Sequence, residues 1–185
     1  MRREFQGLID NDTFEIALLP AGRRSITAKW VYSWKANILG EVIWGNARLV
    51  ACGYMQREAL DYLEIFCLIP VASSIRMIVT LALQHHWTLY HWDIDQAYVQ
   101  ARINREISAR LPKGYRNMSG TVLRLNKALY GLRQSPRAFN QLLMQNLLGF
   151  GLQWCAADQC IFRRMCPGTK EVSLIVGIYV DYWIV

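Results

Sequence analysis

GIYVDYWIV, residues 177–185, is an apolar segment in which one carboxylate, Asp181, stands between Val180 and Tyr182. The run of β-branched and aromatic residues is typical of a strand with a buried face. A carboxylate in such a strand seldom lacks a partner, because an unpaired buried charge is costly. We therefore expect Asp181 to have a partner group or a metal ion.

A second segment of the same kind is HWDIDQAYVQ, residues 91–100, which carries Asp93 and Asp95. If it forms one strand, its two carboxylates lie on the same face. Should the two segments be neighbours, the acidic groups would repel each other unless a cation lay between them. Carboxylates with substrate phosphates suit Mg²⁺, and paired ions assist displacement at phosphorus. The alternative, unrelated aspartates at strand ends, stays open.

The composition fits a folded protein with a basic surface. The chain has 185 residues, of which 53% are hydrophobic and 12% aromatic, enough for one domain or two interlocked subdomains. Lys and Arg number 21 against 14 Asp and Glu, so the net charge is +7. This excess of positive charge suits a polyanionic partner but does not establish one.

Cysteine and apolar patterns disfavour several classes of protein. Five cysteines without regular spacing argue against a disulfide framework, and none lies near a histidine as zinc sites require. The first residues, MRREFQGLIDND, lack an apolar signal core, and no apolar run approaches the length of a membrane span. We expect an intracellular protein that does not associate with membranes.

The order of predicted elements is mixed, with helices between antiparallel hairpins, and predicts the α+β class. In the helix SSIRMIVTLALQHH a serine is expected to cap the first turn. In the helix SPRAFNQLLMQNLLGFG, Ser135 is the expected N-cap and Pro136 the first helical residue. Predicted strands include TFEIAL, the hairpin AKWVYSWKAN with VIWGNARLVACGY, the segments around Asp93 and Asp181, and QCIFRR.

Short motifs along nearly the whole chain occur in a recognisable order: NARLVACGYMQ, DYLEIF, SSIR, WDIDQAYVQ, LPKGY, KALYGLRQSPRAF, ADQCIF and YVDY. In this order and spacing the chain resembles the reverse transcriptase domain of copia-type LTR retrotransposons. The resemblance implies a right-hand polymerase with an antiparallel palm sheet packed on helices and with the thumb absent. The fingers would take residues from about 1 to 88 and 100 to 130, and the palm about 89 to 99 and 131 to 185.

The resemblance also implies a reaction, DNA synthesis on an RNA template by two-metal nucleotidyl transfer. Asp93 and Asp181 would be the catalytic, metal-binding pair for two Mg²⁺ ions, and RNA template, DNA primer and dNTPs would be the partners. Tyr98 would lie under the sugar and discriminate against ribose; a palm-core tyrosine is the alternative. Asp95 is expected to be a solvated or structural carboxylate.

Further residues implied to bind nucleotide or nucleic acid each have a plainer alternative. Lys35 and Arg48 would meet the triphosphate, or be solvated strand charges. The nucleotide pocket would be shaped by a turn glycine, an N-cap and a first-turn proline: Gly131, Ser135 and Pro136. Arg133 and Arg137 would touch a phosphate backbone, or belong to an exposed helix start.

The sequence departs from the family pattern at its metal motif. The family carries YVDD, whereas this chain has Tyr182 in place of the second aspartate, and a tyrosine offers no carboxylate. Asn46 and Cys52 stand where lysine or arginine is usual, and the RNase H and integrase parts of such polyproteins are missing. We expect a polymerase that is inactive or severely impaired. A non-catalytic, basic nucleic-acid-binding remnant or a translated pseudogene product without biochemical role are the alternatives.

Overall fold

The computed structural model describes residues 1–115, 120–169, 171–180 and 182–185. Three α-helices and eleven strands lie within these residues. The helices are α1 (Arg2–Asp10), α2 (Ala72–Gln84) and α3 (Ser135–Gly149). The strands are β1 (Phe14–Leu18), β2 (Ser25–Ile26), β3 (Ala28–Ala36), β4 (Val42–Ala51), β5 (His91–Asp93), β6 (Arg102–Arg110), β7 (Thr121–Lys127), β8 (Gln153–Cys155), β9 (Asp158–Met165), β10 (Val172–Tyr179) and β11 (Tyr182–Ile184).

The fold is a mixture of helices and sheets that divides into two compact units. Unit 1 contains residues 1–65 and 98–139, and unit 2 contains residues 66–97 and 140–185. Each unit therefore joins two segments that are distant in the sequence. None of the described helices combines the length and the apolar character that crossing a membrane requires.

Unit 1 is built on a four-stranded sheet in the order β1-β7-β6-β2, in which β2 runs parallel to β6 and the other neighbours are antiparallel. Helix α1 contributes Phe5 and Leu8 to the core beside this sheet. Leu49 of β4 and Leu123 of β7 are fully buried in the same cluster. The strand predicted at TFEIAL is confirmed as β1, in which Phe14 is buried and the later apolar residues of this edge strand, Ile16 and Leu18, are exposed.

The second sheet of unit 1 is the β3–β4 hairpin. At its turn the Asn37 carboxamide oxygen accepts hydrogen bonds from the amides of Leu39 and Glu41, at 2.9 Å each. Trp30, Tyr32 and Trp34 alternate along β3 and so share one face of it, and Trp34 is 74% exposed. A Cβ atom added to Gly45, the register partner of Trp34, would lie 2.7 Å from the indole ring. The indole therefore covers the glycine backbone and turns its other face to solvent.

Unit 2 is built on a five-stranded antiparallel sheet in the order β5-β11-β10-β9-β8. Helix α2 packs on one face of it. A Cβ atom added to Gly177 of β10 would lie 2.9 Å from Ile78 Cδ1 and 3.2 Å from Ile75 Cδ1. The absence of a side chain at this position lets the helix approach the strand closely.

The start of α2 differs from the expected serine cap. The helix begins at Ala72, its N-cap is Val71, and no side chain caps it from that position. Instead, one carboxylate oxygen of Asp158 accepts a hydrogen bond from the Val71 amide at 2.9 Å, and the other accepts one from the Cys160 amide at 2.9 Å. The Asp158 carboxylate of β9 therefore stabilises the positive, N-terminal end of α2.

We expect Asp158→Asn to lower the free energy of unfolding of the chain by about 1–2 kcal/mol at neutral pH. Burial acts to raise the pKa of Asp158, but hydrogen bonds from Ser74 and from the Cys160 and Val71 amides outweigh it and lower the pKa below its ordinary 3.8. The contribution of the carboxylate is therefore complete above pH 3.8 and is lost as the pH falls through the lowered folded-state pKa. Urea unfolding of the native chain and of Asp158→Asn at pH 6 and pH 3 measures this contribution. If stability changes equally with pH in the two proteins, the Asp158 carboxylate does not stabilise the start of α2.

The long strand predicted around Asp93 is wrong in its second half. Strand β5 ends at Asp93, and Asp95 lies in a turn, so the two carboxylates do not share a strand face. Gln96 has a φ of 50°, and a short 3₁₀ turn over Ala97–Gln100 then carries Tyr98. Both Ala97 and Val99 of this 3₁₀ turn are buried.

Candidate functional site

The carboxylate of Asp93 lies in the sheet of unit 2, at the C-terminal end of β5. The register of the antiparallel β5–β11 pair places Asp93 opposite Tyr182 and Trp92 opposite Trp183. Directly opposed residues of this kind have Cα atoms about 4.5–5.5 Å apart. The sheet thus brings Asp93 beside the residue that follows Asp181 in the sequence. Asp181 itself lies outside the described residues.

The side chains at this pair differ in what they offer a cation. Asp93 is exposed, and no described residue gives its carboxylate a hydrogen bond or an ion pair. The Tyr182 ring stacks on the His91 ring, with centroids 5.7 Å apart and planes at 12°. Asp93 therefore fits the role of an oxygen ligand for Mg²⁺, and Tyr182 does not. Across the described ranges there is no cluster of three or more His, Cys, Asp or Glu suited to a metal ion.

In unit 1, three of the predicted nucleotide-binding positions lie around one aromatic residue, Tyr130. The Tyr98 ring lies 4.8 Å from the Tyr130 ring, centroid to centroid, and 6.1 Å from that of Phe139. The Arg48 guanidinium carbon lies 5.1 Å from the Tyr130 centroid, within the range of a cation–π contact. Gly131 follows Tyr130 directly. The structure therefore brings Arg48, Tyr98 and Gly131 into one neighbourhood.

Lys35 lies apart from this neighbourhood, although it shares a strand face with Arg48. In the β3–β4 register Lys35 faces Trp44, whereas Arg48 faces Val31. Four residues of strand, about 13 Å, separate the two positions along the hairpin. Lys35 is exposed near the hairpin turn, so it and Arg48 do not bind one small group together in this arrangement.

The turn before α3 is held tightly against the end of β4. Gly131 has a φ of 88°, and a Cβ atom there would lie 2.1 Å from the Ala51 carbonyl oxygen. The Ala51 amide donates to the Tyr130 carbonyl at 2.7 Å. A Cβ atom added to Gly53 would in turn lie 2.1 Å from the Gly131 carbonyl oxygen. Two backbone segments therefore touch at a site where only glycine fits.

Ser135 and Pro136 occupy helical positions different from those expected. Helix α3 begins at Ser135, and the Ala138 amide donates to the Gln134 carbonyl, so Gln134 is the N-cap and Pro136 the second helical residue. The Ser135 side chain is fully buried, and its hydroxyl donates to the Leu129 carbonyl at 2.6 Å. Ser135 thus braces the turn from inside rather than presenting an oxygen to solvent.

Arg133 and Arg137 both have partners within unit 1. Arg133 Nε donates to the Gly53 carbonyl at 3.2 Å, and its guanidinium carbon lies 5.6 Å from the centroid of the Tyr62 ring. Arg137 forms an ion pair with Glu64. A phosphate at either position would therefore compete with an existing contact.

The sequence matches one protein family over most of its length. The profile described as "Reverse transcriptase (RNA-dependent DNA polymerase)" matches residues 11–185. The chain belongs to the reverse transcriptase family. Its curated relatives include the retrovirus-related Pol polyproteins of transposons RE1 and RE2 from Arabidopsis thaliana, 32% and 34% identical over 184 and 186 residues. The corresponding polyprotein of transposon TNT 1-94 from Nicotiana tabacum is 28% identical over 183 residues.

These relatives place the reverse transcriptase chain among copia-type Pol polyproteins, as the sequence motifs predict. Each match covers 98% of this chain but only 12–14% of the relative. The chain therefore spans a small part of the length of the relatives it matches. No solved structure gives a significant match.

Sequence reasoning missed a buried polar contact in this reverse transcriptase domain, between Gln56 and Gln134. Both side chains are 6% exposed, and Gln56 Nε2 donates to Gln134 Oε1 at 2.9 Å. Each glutamine belongs to a family motif, GYMQ or GLRQSP, but 78 positions separate them. Tyr130 was missed for a similar reason, because its neighbours Arg48 and Tyr98 come from distant segments.

Proposed function

We propose that the chain forms α+β fingers and palm subdomains of a copia-type reverse transcriptase, descended from an enzyme that makes DNA on an RNA template. The proposed fingers take about residues 1–88 and 100–130, and the palm about 89–99 and 131–185. The observation that carries this proposal is the β5–β11 register, which sets Asp93 opposite Tyr182. Two motifs that are far apart in the sequence thus meet in one sheet, as a shared metal site requires.

The proposed metal ligands are Asp93 and Asp181, with Tyr182 as the missing third. When bound, Mg²⁺ would neutralise charge on the phosphates and lower the barrier to in-line displacement. Asp93 supports this role with an exposed carboxylate that is not engaged by any described residue. Since the phenol of Tyr182 supplies no anionic oxygen, we propose that catalysis in this chain is absent or severely impaired.

The proposed nucleotide contacts in unit 1 come from several elements. Arg48 would neutralise phosphate charge, and Tyr98 would support the sugar from its 3₁₀ turn. Gly131 would allow close approach of the backbone, while buried Ser135 and half-buried Pro136 would shape the turn from behind. More distant cations would act on the triphosphate or on the nucleic-acid backbone: Lys35, Arg133 and Arg137.

The experiment that tests the proposed function is Mg²⁺-dependent primer extension on an RNA template by the native chain and by Tyr182→Asp. Restored synthesis in the variant supports the proposal. Brisk extension by the native chain would contradict the impairment, and inactivity of both proteins would contradict the proposal that Tyr182 causes it.

A second candidate function, non-catalytic binding of single-stranded nucleic acid, is favoured by the β3–β4 hairpin. The free face of the Trp34 indole is available for stacking on a base. Lys29 and Lys35 are exposed on the opposite face of the same strand and add positive charge to the hairpin. Aromatic rings with nearby cations are the common means of binding single strands without sequence preference. Such binding should weaken steeply as salt concentration rises, because counterions are released.

We expect Trp34→Ala to weaken binding of a 20-nucleotide oligo(U) RNA by at least about fivefold, because one stacked base is lost. Fluorescence anisotropy at 50 and 200 mM salt measures both the affinity and its salt dependence. The matched control is Ile43→Ala, which removes an exposed apolar side chain from the same hairpin without removing a ring. Equal affinities of Trp34→Ala and Ile43→Ala for the RNA, or an affinity that does not depend on salt concentration, would eliminate this function.

A further inference from the structure

Gln56 occupies the centre of a buried hydrogen-bond network in unit 1. Its Nε2 donates to Gln134 Oε1 at 2.9 Å, and its Oε1 accepts from the Arg133 amide at 2.8 Å. Gln134 Nε2 donates in turn to the Asp61 carbonyl at 3.1 Å. One side chain therefore engages both a backbone amide and a side chain of the turn before α3. Amides buried in this way are costly to leave unpaired.

The network completes a contact that the backbone begins. On one side of the turn the Ala51 amide donates to the Tyr130 carbonyl, and Gly53 and Gly131 approach so closely that neither tolerates a Cβ atom. On the other side, Gln56 holds the amide of Arg133. Residues 51–56 therefore hold the turn 130–135 by contacts near both of its ends.

The turn that Gln56 holds carries Gly131, Arg133 and Ser135 of the residues proposed to bind nucleotide or nucleic acid, and its Tyr130 contacts two others. Gly131 packs directly against Ala51. Tyr130 contacts Arg48 and Tyr98. The Arg133 side chain donates a hydrogen bond to the Gly53 carbonyl. Release of the Arg133 amide would remove the hydrogen bond that fixes the second half of the turn, while the contact of Tyr130 with Ala51 remains. A shift of about 1 Å in such a constellation is enough to weaken binding and catalysis strongly.

We propose that Gln56 is a positioning residue, whose buried amide fixes the turn 130–135 and thereby sets the affinity of the chain for a deoxynucleoside triphosphate. The part of this inference that concerns nucleotide affinity rests on the proposed function. Gln56 itself contacts no substrate in this role. It acts through the Arg133 amide and Gln134.

Three variants of the full chain separate positioning from general stability. Gln56→Leu removes both hydrogen bonds of Gln56. Gln134→Leu also removes two hydrogen bonds, the one shared by the glutamines and the one to the Asp61 carbonyl, but it leaves the Gln56 acceptor for the Arg133 amide, so it is the matched control. Gln56→Glu also keeps an acceptor for that amide while it loses the donor to Gln134. It keeps the inference falsifiable if Gln56→Leu does not fold.

Equilibrium dialysis of dTTP with Mg²⁺ measures affinity, and hydrogen exchange of the turn amides measures positioning. We expect Gln56→Leu to bind dTTP about tenfold more weakly, and Gln134→Leu and Gln56→Glu to remain within about threefold of the parent. The Arg133 amide should exchange at least about tenfold faster in Gln56→Leu alone. Equal losses in the two leucine variants, or unchanged exchange in Gln56→Leu, would overturn the inference.

Failure of the proposed function gives a different result. If the parent chain and Tyr182→Asp bind no dTTP, the proposed function is wrong, and exchange of the Arg133 amide alone decides whether Gln56 positions the turn. Faster exchange in Gln56→Leu, with protection retained in Gln134→Leu, supports the role of Gln56 in positioning the turn. Protection in both variants overturns it.

Discussion

Tyr182→Asp is expected to raise Mg²⁺-dependent primer extension on an RNA template by at least about a hundredfold over the native chain. The register of β5 and β11 sets residue 182 opposite Asp93, so the new carboxylate would enter the sheet beside an existing one. Two opposed carboxylates repel each other unless a cation lies between them, which favours binding of the ion. Gel analysis of a labelled primer with oligo(A) RNA and dTTP measures the gain.

Two controls make this result specific to the acidic pair. Tyr182→Asn matches the size of aspartate without its charge and should not restore extension. Asp93→Asn in the Tyr182→Asp background should remove the gain. Restoration by the asparagine variant would show that removal of the ring stacked on His91 matters, and not the carboxylate.

Gly131→Ala is expected to lower the free energy of unfolding of the chain by about 3 kcal/mol or more. Two costs add. The residue has a φ of 88°, which an alanine adopts at a cost of about 1–2 kcal/mol. Its Cβ atom would also lie 2.1 Å from the Ala51 carbonyl oxygen, so the turn and the end of β4 must separate.

Gly40→Ala is the matched control for Gly131→Ala. Gly40 has a φ of 81° but open space around it, so an alanine there is destabilised only by its backbone conformation, by about 1–2 kcal/mol. Urea unfolding of both variants, followed by circular dichroism, gives the difference between them. Equal destabilisation would mean that the close approach of the turn to β4 contributes nothing to stability.

Local sequence patterns predicted many elements because short-range periodicity decides them. The predicted helix over SSIRMIVTLALQHH and the predicted β3–β4 hairpin are confirmed. The single strand expected over residues 177–185 is wrong, because β10 ends at Tyr179, Val180 has a φ of 55°, and β11 begins at Tyr182. Strand β6 was missed because its apolar residues Ile103 and Ile107 are four apart, which fits a helix as well as a strand. The cap of α2 was missed because Asp158 comes from a different strand.

The site was predictable only as far as the motifs reach. The motifs single out Asp93 and Gly131, and the register of β5 with β11 and the turn before α3 give these two a structural setting. Their metal and nucleotide roles remain predictions. Long-range polar contacts leave no periodic signal, so the pair of Gln56 and Gln134 appears only when the fold brings them together.

Mn²⁺ binding, followed by electron paramagnetic resonance, tests most directly whether Asp93 and the 181–182 segment form one cation site. Mn²⁺ serves as the probe because it takes the same hard oxygen ligands as Mg²⁺. We predict that Tyr182→Asp binds Mn²⁺ at least about tenfold more tightly than the native chain, and that adding Asp93→Asn reverses the gain. Equal Mn²⁺ affinities in all three proteins would contradict the account.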